Sequence, residues 1–212
     1  MSAKPPGDDG AARPREMETT GSLARGAREG DQERLGRLFT RLAPALYAWA
    51  RLRIRAGFRA TLSPEDLVQE VWVRALEVFP SFEPTRCSFR TWLFAVAKHV
   101  LFEAQRRLAR RAPVQPAGGG TTRLGRLHEL PAEITDVTRR VARDEAVQAF
   151  QERIAKLEDL DRKLVLHCGF EELPNREVAE RLGMEVEAVK KRWQRLRARL
   201  REWNVPDELL AE

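Results

Sequence analysis

Apolar positions in this chain recur three and four residues apart and nowhere alternate over the length of a strand, so the pattern predicts an all-helical protein. A first helix is expected from near Asp31, where Leu35, Leu38, Phe39, Leu42, Leu46 and Trp49 fall on one side. SPEDLVQEVWVRALEVF, residues 63–79, is the clearest helical segment. Ser63 is a good N-cap, Pro64 fits the first helical position, and Asp66 is placed to close a capping box. Leu67, Val68, Val71, Trp72, Ala75, Leu76 and Phe79 then form a wide apolar stripe. Asp66, Gln69, Glu70, Arg74 and Glu77 stay off it, and Pro80 ends the helix. CSFRTWLFAVAKHVLFEAQRRLARR follows a short loop, with Ser88 as the expected cap. Phe89, Trp92, Leu93, Val96, Ala97, Val100 and Leu101 mark its buried face, which leaves Phe94 and Phe102 off the stripe.

Composition then divides the chain. Residues 1–21 are rich in Gly, Pro and charge and are expected to be a disordered tail. Residues 112–140 interrupt the periodicity with a run of three glycines and several prolines, and are expected to be a flexible linker. Beyond it Ala146, Phe150, Ile154 and Leu157 open a second helical unit. Asp161 is the expected cap of DRKLVLHCGF, Asn175 that of REVAERL, and Gly183 supplies the left-handed stop. The fold class expected is all-α: two small helical domains, residues 22–111 and 141–204, with a short tail at 205–212.

Net charge is +6, which draws the protein toward polyanions, and it is unevenly spread. Arg106, Arg107, Arg110 and Arg111 form one basic run. Lys190, Lys191, Arg192, Arg195, Arg197, Arg199 and Arg201 form another. The helix from Pro64 is acidic instead, so one molecule offers surfaces of both signs. Cys87 and Cys168 are the two cysteines, read as reduced thiols, and no Cys or His set has metal-ligand spacing. No nucleophile stands with a base, and the glycines at 118–120 are not followed by the Lys of a phosphate-binding loop. An enzyme, a metal and a cofactor are therefore not expected. With no signal peptide and no apolar run of transmembrane length, the expected location is the cytoplasm.

The stretch NREVAERLGMEVEAVKKRWQRLRARLREW, residues 175–203, reads as a helix-turn-helix. Ala179 is small enough for the helix crossing and Gly183 permits the turn. At about 100° per residue, Val189, Trp193 and Leu196 point inward. Glu187, Lys191, Gln194, Arg195 and Ala198 then point out, flanked by Lys190 and Arg192. Such a face enters the major groove, where Lys and Arg meet phosphate or guanine and Gln meets adenine.

DLVQEVWVRALEVFPSFEP, then CSFRTWLFAVAKHVLFEAQRR, a linker and this helix-turn-helix together resemble the sigma-70 family of RNA polymerase sigma factors, in its extracytoplasmic-function (ECF) branch. The resemblance covers residues 22–111, as region 2, and 141–203, within region 4. It implies that Asp66, Gln69 and Glu70, with Arg74 beside them, dock on the clamp helices of the polymerase's largest subunit. It implies that the loop from Ser81 to Ser88 captures a flipped base of the minus-ten element. Arg90, Lys98, His99, Gln105, Arg106 and Arg107 would line the path of the unpaired strand. Phe94 and Phe102 become the candidates for exposed aromatic contact, with Trp92 in the core. Asn175, Arg176, Glu187, Lys190, Lys191, Arg192, Gln194 and Arg195 match positions that read the minus-thirty-five element. The family's partners are core polymerase, promoter DNA and in many cases an anti-sigma factor, with no membrane insertion. Glu185 stands where the family often has a capping Ser or Thr, and Glu187 and Ala188 replace small polar residues, which alters the expected base contacts.

Two rivals remain. A stand-alone helix-turn-helix regulator would bind duplex DNA tightly without polymerase. A helical adaptor with merely solubilising basic faces would show little salt-dependent DNA affinity.

Overall fold

The computed structural model describes residues 18–110, 132–203 and Leu209. Of the expected tail at 1–21, residues 18–21 are described and lead into a helix; residues 1–17, the first part of the expected linker at 112–131, and the tail at 205–212 apart from Leu209 lie outside the described residues.

Helix α1 runs Thr20–Arg28 and α2 Gln32–Arg53. They are joined at Gly30, whose φ of 98° is a left-handed conformation that suits glycine. Asp31 caps α2 by accepting from the Arg34 N–H at 3.0 Å. Helix α3, Pro64–Val78, begins as its sequence dictates, with Ser63 Oγ accepting from the Asp66 N–H at 3.0 Å. It ends where Phe79–Ser81 tightens into a 3₁₀ turn at Pro80. Helix α4 spans Phe89–Arg110, and Ser88 Oγ accepts from the Thr91 N–H at 3.0 Å.

These helices close on a core containing Trp49, Trp72, Leu93 and Phe94, all 0% exposed. Phe39 stacks on Trp72 with ring centroids 4.5 Å apart. Removing a Leu- or Phe-sized side chain from water contributes roughly 1.5–3 kcal/mol each, so this is the main force assembling the N-terminal domain.

Residues 132–140 do not continue as a flexible connector. Helix α5, Ala132–Ala142, packs on α2 and α3 and buries Thr138 and Val141. The glycines and prolines at 112–131 masked an amphipathic segment, in which Val137 and Val141 lie one turn apart.

Helix α6, Glu145–Ala155, is capped by Asp144. Helix α7, Asp159–Leu164, starts at Glu158 rather than at Asp161, and passes directly into a π-helical segment, Val165–Phe170. The Glu171 N–H donating to the Leu166 carbonyl at 3.1 Å is one of its wide-pitch bonds. All six residues of the segment are buried, so they carry no amphipathic period. Helices α8, Asn175–Leu182, and α9, Val186–Arg201, form the helix-turn-helix. Asn175 is the first residue of α8 and makes no side-chain cap bond; Pro174 precedes it as the cap residue. Gly183 adopts φ 64°, and the Met184 N–H reaches back to the Ala179 carbonyl at 3.0 Å, a left-handed helix stop.

The two helical domains dock on each other. Phe170 lies between Phe94 of α4 and Phe150 of α6, at centroid distances of 6.2 and 6.3 Å. Trp49 meets the edge of Phe94 at 5.8 Å, so the apolar core runs from one domain into the next.

Candidate nucleic-acid interface

The recognition helix α9 is held by Val189, Leu196 and Leu200, all buried. Lys190, Lys191, Gln194 and Arg195 are exposed along its outer side. Glu187 pairs with Lys190 at 2.7 Å, which tempers one cation of that face. Glu185 makes no side-chain cap bond, in keeping with its poorer fit to that position.

Arg192 does not join the outer face. Its guanidinium donates to Asp161 at 2.6 Å and to Glu158 at 2.7 Å, both at the start of α7. Arg199 donates to the other oxygen of Asp161 at 2.9 Å. The hydrogen bonds it donates to Asp161, then Glu158, hold the Arg192 guanidinium above its ordinary pKa. Arg192 and Arg199 therefore clamp α9 onto α7, and the half-buried Arg192 is removed from the groove-facing set expected for it. On α8, Arg176 is exposed and pairs with Glu180 at 3.3 Å, while Asn175 is half-buried at the helix start.

In the N-terminal domain the acidic side of α3 faces out as its pattern required. Asp66 is exposed, and Gln69 and Glu70 are half-exposed. Arg74 pairs with Glu77 at 2.8 Å. Glu70 accepts from Arg107 of α4 at 3.3 Å, so the surface expected to meet protein and the one expected to meet DNA are continuous at this pair.

The loop between α3 and α4 is shaped by aromatics. Phe79, Phe82, Phe89 and Trp92 form one cluster, with Phe82 to Phe89 at 5.4 Å and Phe82 to Trp92 at 5.3 Å. Phe82 is buried, while Ser81, Glu83, Thr85, Arg86 and Ser88 remain exposed around it. Further along α4, His99 and Arg106 are exposed and Gln105 is half-exposed. His99 lies 3.1 Å from Glu103. Phe102 is 63% exposed, the large apolar side chain left in solvent among the described residues.

Three expectations on α4 change. Phe94 is not a surface aromatic: it is fully buried between Trp49 and Phe170, because a second domain covers the side of α4 that a single stripe leaves open. Arg90 is buried at 7% exposure, not set along an open groove. It donates to the carbonyls of Gly169 at 3.2 Å, Phe170 at 3.4 Å and Leu209 at 2.8 Å. Its guanidinium also lies 5.4 Å from the centre of the Phe94 ring. Burial pulls its pKa down to about 10, opposed by Glu172, so it remains charged. Lys98 is half-exposed and points its ammonium to 3.8 Å from Glu171.

The residues that meet this cationic surface were not singled out by sequence. Glu171 is fully buried. It accepts from Trp49 Nε1 at 3.0 Å and from Arg53 at 2.8 and 3.1 Å, and its second oxygen is 3.1 Å from His167 Nδ1. Burial pushes the carboxyl up, but His167, Arg53, Trp49 and Lys98 together outweigh it and bring the pKa to about 2. Next to it Glu172 takes a left-handed φ of 49°, which turns its carboxylate toward Ser88 and Thr91 at 2.6 and 2.7 Å. The signal in the sequence was GFEEL: two adjacent carboxylates directly after an unpatterned apolar run.

No helix among the described residues is long and apolar enough to cross a membrane, and no group of His, Cys, Asp and Glu among them is placed to hold a metal. Burial pushes the Cys168 thiol up to about 11, which keeps it protonated and unreactive.

The Sigma-70 region 2 family model matches residues 38–111, and the Sigma-70, region 4 model matches residues 147–200. ECF RNA polymerase sigma factor ShbA of Streptomyces griseus is 28% identical over 190 residues, covering 88% of this chain and 97% of its own. ECF RNA polymerase sigma factor SigW of Bacillus subtilis is 29% identical over 137 residues, covering 65% of this chain and 73% of its own. RNA polymerase sigma factor NccH of Alcaligenes xylosoxydans is 27% identical over 180 residues, covering 84% of this chain and 91% of its own. A solved structure of CnrH in complex with the cytosolic domain of CnrY is 24% identical, covers 86% of this chain and 95% of that chain, and superposes with a TM-score of 0.39.

Proposed function

This chain belongs to the ECF branch of the sigma-70 family, it directs RNA polymerase to promoter DNA, and from that premise we propose which of its surfaces does what. The observation that carries the assignment is the presence of separate acidic and cationic surfaces on a chain whose two family models both match. An acidic, solvent-facing edge lies on α3, and cationic edges lie on α4 and α9.

Asp66, Gln69, Glu70 and Arg74 dock the protein on the clamp helices of the polymerase's largest subunit, where acidic side chains complement a basic surface. The exposed loop residues from Ser81 to Ser88, held in place by the buried Phe82, take an extruded base of the minus-ten element. His99, Phe102, Gln105 and Arg106 carry the unpaired strand along α4, with Phe102 as a stacking platform and Arg107 at the junction with the polymerase face. Arg176, Lys190, Lys191, Gln194 and Arg195 meet the minus-thirty-five duplex; Arg192 orients the helix that presents them. Glu187 restrains Lys190 and tunes its reach to phosphate. The protein acts by binding and strand capture rather than by catalysis, and works in the cytoplasm.

Reconstitution tests this. The purified chain is mixed with bacterial core polymerase, co-elution on gel filtration is measured, and run-off transcription is read on a promoter library. Gln69→Ala with Glu70→Ala should weaken the complex at least tenfold while leaving the circular dichroism unchanged. No complex, combined with tight duplex binding by the protein alone, would favour the stand-alone regulator.

A further inference from the structure

Two of the cations assigned by resemblance to the unpaired strand are occupied by the protein's own carboxylates. Arg90 is buried against the Gly169 and Phe170 carbonyls with Glu172 at 3.8 Å, and Lys98 is 3.8 Å from Glu171. Ser88 and Thr91, at the end of the base-capturing loop, both donate to Glu172. Arg53 and Trp49 complete the cradle around Glu171. We propose that Glu171 and Glu172 are internal phosphate mimics that latch the C-terminal domain over the minus-ten surface and keep the unbound protein from capturing single-stranded DNA.

Two features support a latch rather than incidental packing. The carboxylates occupy the kind of site a phosphate would: an Arg, a Lys, an indole N–H and two hydroxyls converging from α2, α4 and the loop before it. The backbone that presents them is not relaxed, being a π-helical turn followed by a left-handed glutamate, and such conformations persist where surrounding contacts hold them. Opening would return Arg90, Lys98 and Ser88 to the strand path together. This inference rests on the minus-ten assignment of those residues; the closure itself does not.

The test uses the full chain and three proteins: wild type, Glu172→Gln, and Glu171→Gln with Glu172→Gln. Small-angle X-ray scattering reports closure. Fluorescence anisotropy with a labelled single-stranded oligonucleotide of minus-ten sequence reports strand capture, and circular dichroism reports folding. The double variant should expand and bind the oligonucleotide about tenfold tighter, the factor gained when a closed state holding nine-tenths of the molecules is abolished. Glu172→Gln, a half-buried rim change that leaves Glu171 in place, should move both readouts part of the way. Folded variants that stay compact and gain no affinity overturn the latch. Variants that expand yet gain no affinity overturn the masking of the strand path. Core-dependent transcription by the wild type, measured in parallel, decides the sigma assignment separately.

Discussion

Replacing Glu171 with Gln should destabilise the protein by about 3 kcal/mol at pH 7 and by almost nothing near pH 2. The magnitude follows from the site. The folded carboxyl titrates at about 2 against an ordinary 4.5. At roughly 1.36 kcal/mol per pH unit, that difference is worth about 3 kcal/mol. The sign follows as well. A depressed carboxylate pKa contributes stability that is fully present above 4.5 and disappears as pH falls through about 2. Gln resembles the protonated acid in shape, so it mimics the low-pH state of the wild type at every pH. It leaves Arg53 and Lys98 facing a neutral group. Urea denaturation followed by far-UV circular dichroism, run on both proteins at pH 7, 4 and 3, measures the gap. Other carboxylates titrate in the same window but do so in both proteins, and cancel in the difference. The gap should narrow steadily below pH 4.5. A gap independent of pH would refute the reasoning, because it would show that packing at Glu171, and not its charge, carries the contact.

Asp161→Ala should release Arg192 and Arg199 together, costing about 2 kcal/mol and weakening minus-thirty-five duplex binding in a gel-shift assay, although Asp161 itself faces away from the groove. Lys191→Ala and Arg195→Ala should each lower the slope of log affinity against log salt by about one, read by anisotropy from 50 to 300 mM salt at roughly constant stability. Gly183→Ala forces a side chain into φ 64° and should cost about 1 kcal/mol in thermal denaturation, since no neighbouring atom obstructs the new methyl and only the backbone is strained. Phe102→Ala should leave the melting temperature unchanged, because the ring is 63% exposed, while weakening oligonucleotide capture in the latch-open double variant.

Local signals fixed much of this architecture. Ser63, Pro64 and a long apolar stripe were enough to place α3 and its polar edge, and Gly183 with its flanking apolar seam was enough to place the helix-turn-helix. The sequence became unreadable wherever a distant segment changed what a residue touches. Phe94 and Arg90 look like surface positions if α4 has one buried face, but Phe170, 76 positions beyond Phe94, buries a second. Arg192 looks like part of a basic face until Asp161, 31 residues earlier, turns it inward. Asp161 in turn looks like a cap because its side chain fits that role locally, whereas the tertiary ion pairs claim it. The helix at 132–140 was obscured by the composition of its neighbours rather than by its own pattern.

The π-helical turn at Val165–Phe170 also makes this protein sensitive to the count of residues, not only to their identity. Such a turn accommodates one residue more than an α-helical turn would. Deleting a residue there would restore ordinary α-helical pitch and rotate everything downstream by about 100° relative to α7. Phe170 would leave the gap between Phe94 and Phe150, and Glu171 would swing off Trp49 and Arg53. The packing of α8 on α9 would survive, but the clamp of Arg192 and Arg199 on Asp161 of α7 would be pulled apart. A one-codon deletion at this position should therefore undo the docking of the two domains. Among relatives, the length of this short segment should track whether the two halves of the molecule meet.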